Sequence, residues 1–379
     1  MKVLYVKTQI GVGGLERIVV NKMNYLTRHE GYEIAYAYFG NDSKKTVYEL
    51  DNRIKSYPMN VKATGGLMVK IKSVYRTYKA LNRIINEFKP DVIENADTVV
   101  ATWLLPFMKR HIPKILETHQ SYEGVSINDM HIYKGNLFKI KVNNWLRRKV
   151  YPLYDCFVVL TDADKKAWGF KNMEVIGNFS YLKPASQNIM GGGKNYTQVI
   201  VSAGRLTYQK NFDLLIESMA LVKKSHPDWK LKIWGGGDGE EVAGLQQLVD
   251  KLLLRDVVEL CGETNDMYSV YENSSIFVCS SRYEGFPLVI SEAMQFGLPC
   301  VSFSLDAVTG RIIDGKTGFL ADKNKRTPQE LARAICKCIQ SLEASDELSR
   351  NAIDMIQQYD VNVIMKQWTD LFEKVVKHS

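Results

Sequence analysis

The chain has no long apolar run. Nowhere in its 379 residues do eighteen or more apolar residues follow one another, which is about the length that a membrane-spanning helix requires. The start, MKVLYVKTQIGVGG, indicates a first β-strand, because it offers neither the long apolar region nor the small-residue cleavage site of a secretory signal. Cysteine is scarce, and the six cysteines show no spacing typical of a disulfide framework or a metal site. We therefore expect a cytoplasmic protein, working in the cytosol or on the cytosolic face of a membrane, with no bound metal.

The positive charge is unevenly distributed. Hydrophobic residues make up 45% and charged residues 24%, as in ordinary soluble proteins, and the net charge is +8. Basic residues recur along one helical segment of the first half: Lys70, Lys72, Arg76, Lys79 and Arg83. They crowd a second segment, interleaved with apolar residues: Lys134, Lys139, Lys141, Arg147, Arg148 and Lys149, with Tyr133, Leu137, Phe138, Ile140, Trp145 and Leu146.

Two interpretations of these basic segments remain open. They can be solvated helix faces, or they can contact anionic lipid headgroups while their aromatic side chains insert shallowly. Nucleic acid is not expected as a partner, since no nucleic-acid-binding motif accompanies the charge.

Short β-branched runs alternate with longer amphipathic runs, which is typical of a parallel sheet with crossover helices. The first half contains five strand candidates: Lys2 to Lys7, Glu33 to Tyr38, Asp91 to Glu94, Lys114 to Thr118 and Cys156 to Leu160. The second half contains six: Val199 to Ala203, Trp229 to Trp234, Val257 to Leu260, Ile276 to Ser280, Cys300 to Phe303 and Gly318 to Leu320. The pattern predicts an α/β protein with two Rossmann-like βαβ domains.

A polar, aperiodic stretch separates the two halves and indicates a connection. We predict an N-terminal domain over 1–180, a linker over 181–198 and a C-terminal domain over 199–358. Residues 359–379 form an amphipathic terminal helix that we expect to dock back on the N-terminal domain. Ligands bind beyond the carboxyl ends of the strands in open parallel sheets, so two facing domains predict one shared cleft.

The segment Ser280 to Val301 carries the strongest chemical pattern. An apolar strand leads into Glu284, Gly285, Phe286 and Pro287, and an apolar helix follows with Glu292 inside it. Proline suits a first helical turn, and free N–H groups at a helix start form an anion-binding position. A carboxylate buried in an apolar helix costs free energy unless it is hydrogen-bonded, and a ligand hydroxyl would supply that bond.

This segment resembles the Glu-x7-Glu signature of glycosyltransferase family 4, the large retaining family with the two-Rossmann GT-B fold. Three further segments are similar to motifs of the same family: Val199 to Ala220 with its GRL and lysine, Trp234 to Glu241 with its glycine-rich turn, and Ile312 to Leu320. The set of four in this order is specific.

The resemblance implies a retaining, metal-independent transfer of a hexose-type sugar from a UDP- or GDP-linked donor to a glycan or polyprenol-linked acceptor, in cell-surface polysaccharide biosynthesis. The nucleotide sugar is a substrate, so no cofactor is expected. Glu284 is implied to hold hydroxyls of the donor sugar and Glu292 those of the ribose. The other implied donor contacts are, for the diphosphate, Arg205, Lys210, Phe286, Pro287 and Leu288, and, for the nucleoside, Gly235, Gly262 and Glu263.

The first half resembles the family more loosely. Ile10 to Val19 is similar to its opening glycine loop, so Gly13 and Gly14 are implied to lie near the donor phosphate. His119, at the end of a predicted strand, is implied to contact the donor sugar and is a catalytic candidate with Glu284. Two departures stand out. Residues 306–311 replace the Gly-Pro-x-Glu block of many relatives, and no proline follows Asn178.

Three alternative functions compete with this assignment. A nucleotide-sugar epimerase shares the two-domain architecture, but the Glu-x7-Glu block, the GRL motif and Lys210 argue against it. A nicotinamide dehydrogenase is disfavoured, because the glycines at 11, 13 and 14 are not followed by a third glycine three residues on. A non-enzymatic scaffold with a decayed site is disfavoured because Glu284, Arg205 and Lys210 are all present.

Overall fold

A computed structural model describes residues 1–7, 13–39, 48–61, 67–96, 100–182 and 197–378. These residues form two compact units, Met1–Asn178 with Asn362–Ser379, and Phe179–Val361. Most of the predicted linker, residues 183–196, and the opening of the glycine loop, residues 8–12, lie outside the described residues.

The first unit is built on a seven-stranded parallel sheet. Its strands are β1 (Lys2–Lys7), β2 (Glu33–Tyr38), β3 (Lys55–Pro58), β4 (Val92–Ala96), β5 (Lys114–Glu117), β6 (Cys156–Val159) and β7 (Met173–Val175). Its helices are α1 (Gly14–Thr27), α2 (Leu67–Phe88), α3 (Ala101–Leu104), α4 (Tyr122–Ile132), α5 (Leu137–Val150) and α6 (Asp162–Trp168). The strand order is β3-β2-β1-β4-β5-β6-β7.

The second unit is built on a six-stranded parallel sheet. Its strands are β8 (Val199–Ala203), β9 (Lys230–Trp234), β10 (Val258–Gly262), β11 (Ile276–Cys279), β12 (Cys300–Phe303) and β13 (Gly318–Ala321). Its helices are α7 (Phe212–Ser225), α8 (Gly239–Lys251), α9 (Met267–Glu272), α10 (Leu288–Gln295), α11 (Pro328–Ala344) and α12 (Glu347–Ile356). The strand order is β10-β9-β8-β11-β12-β13, and the predicted α/β class with two Rossmann-like sheets is confirmed.

The central strands are buried on both faces because helices cover both sides of a parallel sheet. Val3 to Val6 of β1 and Ile276 to Cys279 of β11 are all at most 4% exposed, which is why these segments are continuously apolar rather than alternating. The strands that the sequence did not indicate, β3 and β7, lie at opposite edges of the first sheet. They are short, and β3 ends in Pro58, a residue that sheets tolerate at edges.

The last helix, α13 (Val361–Lys377), packs on the first unit. Trp368 and Phe372, the aromatic residues of its predicted apolar side, are at most 1% exposed. At its two ends, Tyr25 donates to Asn362 at 3.1 Å and Lys374 contacts Glu174 at 2.6 Å. The helix thus returns the chain to the unit in which it began.

Candidate functional site

In the second unit, the strand order reverses between the neighbouring strands β8 and β11. Open parallel sheets bind ligands at such a reversal, outside the carboxyl ends of the strands. The chain leaves β8 into the segment 204–210 and leaves β11 into the segment 280–292. The two strongest motifs of the sequence therefore start from adjacent strand ends.

The centre of this site is an ion pair between Lys210 and Glu284. The Lys210 ammonium donates to Glu284 Oε1 at 2.7 Å, and the Ser281 hydroxyl donates to the same oxygen at 2.6 Å. Burial disfavours the charged ammonium, but the Glu284 carboxylate outweighs that effect and raises the pKa of Lys210. Arg205, whose side chain is exposed, acts on this pKa in the opposite direction, so a second cation lies nearby.

Backbone features explain why Lys210 reaches Glu284. Gly204 follows β8 with a φ of +153°, and a Cβ there would lie 2.9 Å from Lys210 Cε, so glycine leaves room for the lysine stem. Asn211 is the N-cap residue of α7 and has a left-handed backbone conformation, and its side-chain amide donates to the carbonyl of Ser280 at 3.1 Å. The Ser280 hydroxyl donates back to the carbonyl of Lys210 at 2.8 Å. These bonds hold the two loops together side by side.

The anion-binding position predicted from the sequence corresponds to the start of α10. Pro287 is the N-cap residue and Leu288 the first helical residue. The Ile290 amide donates to the Pro287 carbonyl at 3.2 Å, so the N–H groups of Leu288 and Val289 are the ones that a ligand could meet there. Phe286 is 8% exposed, with its ring against Tyr359 at a centroid distance of 5.4 Å. Its side chain therefore has a packing role, and only the backbone around it is placed to meet a phosphate.

Glu292 is 3% exposed and accepts a hydrogen bond from the Tyr271 hydroxyl at 3.0 Å. From the sequence we expect a ligand hydroxyl to donate this hydrogen bond, whereas in the structure a protein side chain already donates one to Glu292. The role of Glu292 toward a ribose stays a prediction. Tyr271, fully buried on α9, is a residue that sequence inspection missed.

The three residues predicted to line the nucleoside pocket lie together at the ends of β9 and β10. The Gly235 amide donates to the Gly262 carbonyl at 2.7 Å. A Cβ on Gly235 would lie 1.9 Å from the carbonyl oxygen of Gly204, and one on Gly236 would lie 2.1 Å from Glu263 Oε1. Glycine at 235 and 236 thus lets the end of β9 approach both β8 and the Glu263 carboxylate.

In the first unit, the predicted residues lie at the ends of β1 and β5. Gly13 caps α1 and Gly14 is its first residue, and Glu16 contacts the buried Lys7 at 3.9 Å. His119 follows β5, where Nε2 is 3.2 Å from Glu117 Oε2. His119 Nδ1 is also 3.5 Å from the side-chain amide nitrogen of Asn178, the residue that no proline follows in this sequence.

Behind His119 lies a buried charge cluster that the sequence analysis missed, formed by Lys22, Glu94 and Glu117. The Lys22 ammonium donates to Glu94 Oε1 and to Glu117 Oε2, each at 2.7 Å, and all three side chains are at most 1% exposed. Burial and the neighbouring Glu117 raise the pKa of Glu94. Burial acts in the same direction on Glu117, but His119 and Lys22 outweigh it and lower the pKa of that carboxyl.

This cluster follows from strand register and had a signal in the sequence. Tyr5 pairs with Glu94, and Ala96, two residues on from Glu94, pairs with Glu117, so both glutamates point to one face of the sheet. Lys22 comes from α1, where it stands among the apolar residues Ile18, Met23 and Leu26. A lysine on the apolar stripe of a helix and a glutamate inside an apolar strand each indicate a buried ion pair.

The second basic segment of the sequence forms α5, which has no buried residue. Arg147 and Asn143 hold it to Asp129 of α4, where Arg147 Nη2 and Asn143 Nδ2 donate to Asp129 Oδ1 at 3.0 and 3.1 Å. Its exposed apolar residues are Leu137, Phe138, Val142, Trp145 and Leu146. Its exposed basic residues are Lys139, Lys141, Arg148 and Lys149. On α2, Lys72, Tyr75, Arg76 and Tyr78 are likewise exposed.

Within the part of the chain that the structure describes, every helix is too short or too polar to cross a membrane. Nor does the described part of the chain contain a group of three or more His, Cys, Asp or Glu side chains arranged to hold a metal ion.

Comparison with known proteins assigns the two halves to families. Residues 12–179 match the model described as Glycosyltransferase Family 4, and residues 192–355 match that of Glycosyl transferases group 1. An uncharacterized glycosyltransferase of Haemophilus influenzae is 30% identical over 363 residues, covering 94% of this chain and 95% of the relative. The amylovoran biosynthesis glycosyltransferase AmsD of Erwinia amylovora is 28% identical over 377 residues and 95% of each chain.

Among solved structures, HepE of Anabaena in complex with UDP and glucose superposes with a TM-score of 0.74. The two are 20% identical, and the superposition covers 99% of this chain and 100% of that one. Both halves of the chain thus match glycosyltransferase families, and the fold matches that of a solved enzyme along its whole length. The chain belongs to the family 4 glycosyltransferases of group 1 and is a transferase with a GT-B-type, two-Rossmann fold.

Proposed function

We propose that the protein transfers a hexose-type sugar from a UDP- or GDP-linked donor to a glycan or polyprenol-linked acceptor. In this proposal the transfer retains the anomeric configuration, needs no metal ion and belongs to cell-surface polysaccharide biosynthesis. The observation that carries the proposal is the Lys210–Glu284 ion pair, 2.7 Å long, at the strand reversal beside the start of α10. HepE in complex with UDP and glucose and the amylovoran transferase AmsD support the donor class and the pathway.

Each group of the site has a role in this chemistry. Lys210, Arg205 and the backbone N–H groups of the first turn of α10 bind the diphosphate and stabilise the charge that develops on it as it departs. Glu284 accepts hydrogen bonds from the donor sugar while its ion pair with Lys210 keeps it ionised and oriented. In the first unit, His119 contacts the donor sugar, and Glu117, 3.2 Å from its Nε2, holds the imidazole in place. The bond between the anomeric carbon and the diphosphate breaks as the acceptor hydroxyl oxygen attacks that carbon from the same face. The departing phosphate takes the proton of the acceptor hydroxyl.

We further propose that α5 brings the protein to anionic membrane on the cytosolic side, where a polyprenol-linked acceptor would be found. Phe138, Val142 and Trp145 follow one another at helical spacing and are each at least 40% exposed, with basic residues between them. A helix of this kind lies in the membrane interface, with aromatic side chains inserted and basic ones at the headgroups.

The donor assignment is tested by titrating the purified protein calorimetrically with a panel of nucleotide sugars, once in EDTA and once in Mg²⁺. We expect one donor to bind in EDTA. Lys210→Ala should lower the affinity for that donor at least tenfold, because its diphosphate loses a charge-assisted hydrogen-bond partner. Glu292→Ala is expected to lower the affinity by a similar factor. Lys251→Ala, an exposed lysine of the same unit, is the matched control and should bind as the unaltered protein does.

The same donor, incubated with an acceptor extract, gives the stereochemistry by NMR of the anomeric proton. A product of inverted configuration would contradict the proposed retention. Failure of every donor to bind, with EDTA or with Mg²⁺, would contradict the proposed donor class.

A further inference from the structure

Arg311 is a buried cation with no carboxylate partner. Its side chain is 1% exposed, and no Asp or Glu of the described residues lies within ion-pair distance of its guanidinium. It is instead held by neutral groups. Nη1 donates to the Pro287 carbonyl at 3.1 Å and to the Ser291 hydroxyl at 2.6 Å, and Nη2 donates to the Ala307 carbonyl at 2.8 Å.

Burying an unpaired charge is unfavourable, and here the cost is only partly offset. The guanidinium carbon lies 3.6 Å from the centre of the Phe286 ring, a cation–π contact, and the three acceptors satisfy donors of the fork. Burial lowers the pKa of Arg311 to about 10, so the group stays charged at neutral pH. A full positive charge is therefore fixed in the interior of the second unit.

The position of this charge is what makes it informative. Three of its side-chain contacts are with the segment that starts α10: the ring of Phe286, the carbonyl of Pro287 and the hydroxyl of Ser291 in the first turn. The other two are the Ala307 carbonyl and the Tyr359 ring, whose centre lies 5.9 Å from the guanidinium carbon. The α10 segment holds the N–H groups proposed to bind the donor diphosphate. Lys210 forms a direct ion pair with Glu284, whereas Glu284 acts on Arg311 only from beyond ion-pair distance, and no other described carboxylate pairs with the guanidinium.

We propose that Arg311 is a positioning residue for the donor: its guanidinium fixes the Phe286–Leu288 segment from behind, and the bound diphosphate adds a counter-charge where no described carboxylate lies within ion-pair distance. Water screens a buried charge poorly, so it acts on an anion at the helix start across a short, low-dielectric path. The inference rests on the proposed function, since it takes a nucleoside diphosphate as the ligand.

The test compares Arg311→Gln and Arg311→Lys with the unaltered protein in calorimetric titrations with UDP, GDP, and the nucleosides uridine and guanosine. Arg311→Gln removes the charge but keeps a donor for a backbone carbonyl, and Arg311→Lys keeps the charge. We expect Arg311→Gln to lower the affinity for the preferred diphosphate at least tenfold and to change the affinity for its nucleoside less than threefold. Arg311→Lys should recover most of the lost diphosphate affinity. Lys251→Ala is the matched control.

A merely structural role predicts a different pattern. Diphosphate and nucleoside would then weaken together, or Lys would bind no better than Gln, and either result would overturn the inference. Equal diphosphate affinity in Gln and the unaltered protein would overturn it too. If Arg311→Gln does not fold by circular dichroism, Ser291→Ala decides, because it removes one bond and keeps the charge. A change of less than threefold in the diphosphate affinity of Ser291→Ala supports the proposed role of the Arg311 charge. A tenfold loss of affinity contradicts it. If the unaltered protein binds neither UDP nor GDP, the proposed donor class fails and this inference falls with it.

Discussion

At the scale of single residues, the Lys22, Glu94 and Glu117 cluster shows how a buried site balances its charge. One ammonium lies between two carboxylates, so full ionisation would leave one net negative charge in the interior. The raised pKa of Glu94 and the lowered pKa of Glu117 both act against this charge, because they favour the proton on Glu94 and the ionised form of Glu117. A proton on Glu94 makes the cluster neutral, with its one carboxylate next to His119.

This balance predicts unequal effects of two substitutions. Lys22→Met removes the ammonium and leaves the Glu117 carboxylate buried beside its neighbour, which should cost about 3–5 kcal/mol in the free energy of unfolding. Glu94→Gln replaces a neutral acid by a neutral amide of the same shape and should cost less than about 1 kcal/mol. Urea denaturation followed by circular dichroism measures both. Equal losses in the two variants would show that Glu94 is ionised in the native state.

The same cluster predicts a pH dependence with a defined sign. The pKa of Glu94 is raised in the folded state, so the unfolded chain releases this proton first as the pH rises. The associated stability is present below the pKa of an unfolded glutamate, about 4.3, and is lost as the pH rises above it. We expect unfolding free energies from pH 4 to 8 to fall less in Glu94→Gln than in the unaltered protein. A parallel pH course in the two would contradict the shifted pKa.

At the scale of elements, α13 completes the first unit. The Trp368 ring covers the Lys22 ammonium, with 3.6 Å between the nitrogen and the ring centre. The helix that ends the chain thus closes the charge cluster built by α1, β4 and β5, and the aromatic face adds a cation–π contact to the two carboxylates.

Removing this cover should destabilise the first unit. Trp368→Ala creates a cavity in a site that is 1% exposed and deprives Lys22 of its aromatic face, for which we expect a loss of about 3–5 kcal/mol in urea denaturation. Val363→Ala, on the same helix but with Val363 43% exposed, is the matched control and should change stability by less than about 0.5 kcal/mol. A Trp368→Ala protein as stable as this control would mean that α13 contributes little to the unit.

At the scale of the whole molecule, the net charge of +8 acts through where it is placed. Basic residues spread over a surface aid solubility, whereas four exposed ones on a helix with an exposed aromatic stripe attract an anionic surface. No residue of α5 is fully buried, and five of its apolar side chains are exposed, so packing within the unit does not account for those five.

We expect the protein to co-sediment with vesicles containing anionic phospholipid and not with purely zwitterionic ones. Replacing Lys141, Arg148 and Lys149 by Gln should weaken binding at least tenfold, since each basic residue near such a surface contributes about 1 kcal/mol. Raising the salt concentration should weaken binding by screening. The matched control replaces three exposed lysines of the second unit, Lys224, Lys251 and Lys337, by Gln. Equal binding by the two triple variants would contradict the assignment of the membrane contact to α5.

The sequence by itself was sufficient for the architecture. Hydrophobic period and run length identified β1, β2, β8 and β12 to the residue and α13 to within two residues at each end, because buried parallel strands and amphipathic helices carry strong local patterns. It was insufficient for β3 and β7, whose short edge segments bury too little apolar surface to leave a pattern. The resemblance to the family motifs also selected Lys210 and Glu284, although residues 74 positions apart meet only through the pairing of β8 with β11.

Only the tertiary structure decided how the buried charges are satisfied. Tyr271 reaches Glu292 from another helix, Lys22 meets two glutamates from two strands, and Arg311 lies behind the start of α10 with no described carboxylate in ion-pair contact. Each of these contacts joins residues 20 or more positions apart in the chain. The physical reason is that hydrophobic patterning is local and readable along the chain, whereas the partner of a buried charge depends on strand register and helix packing, which no single segment encodes.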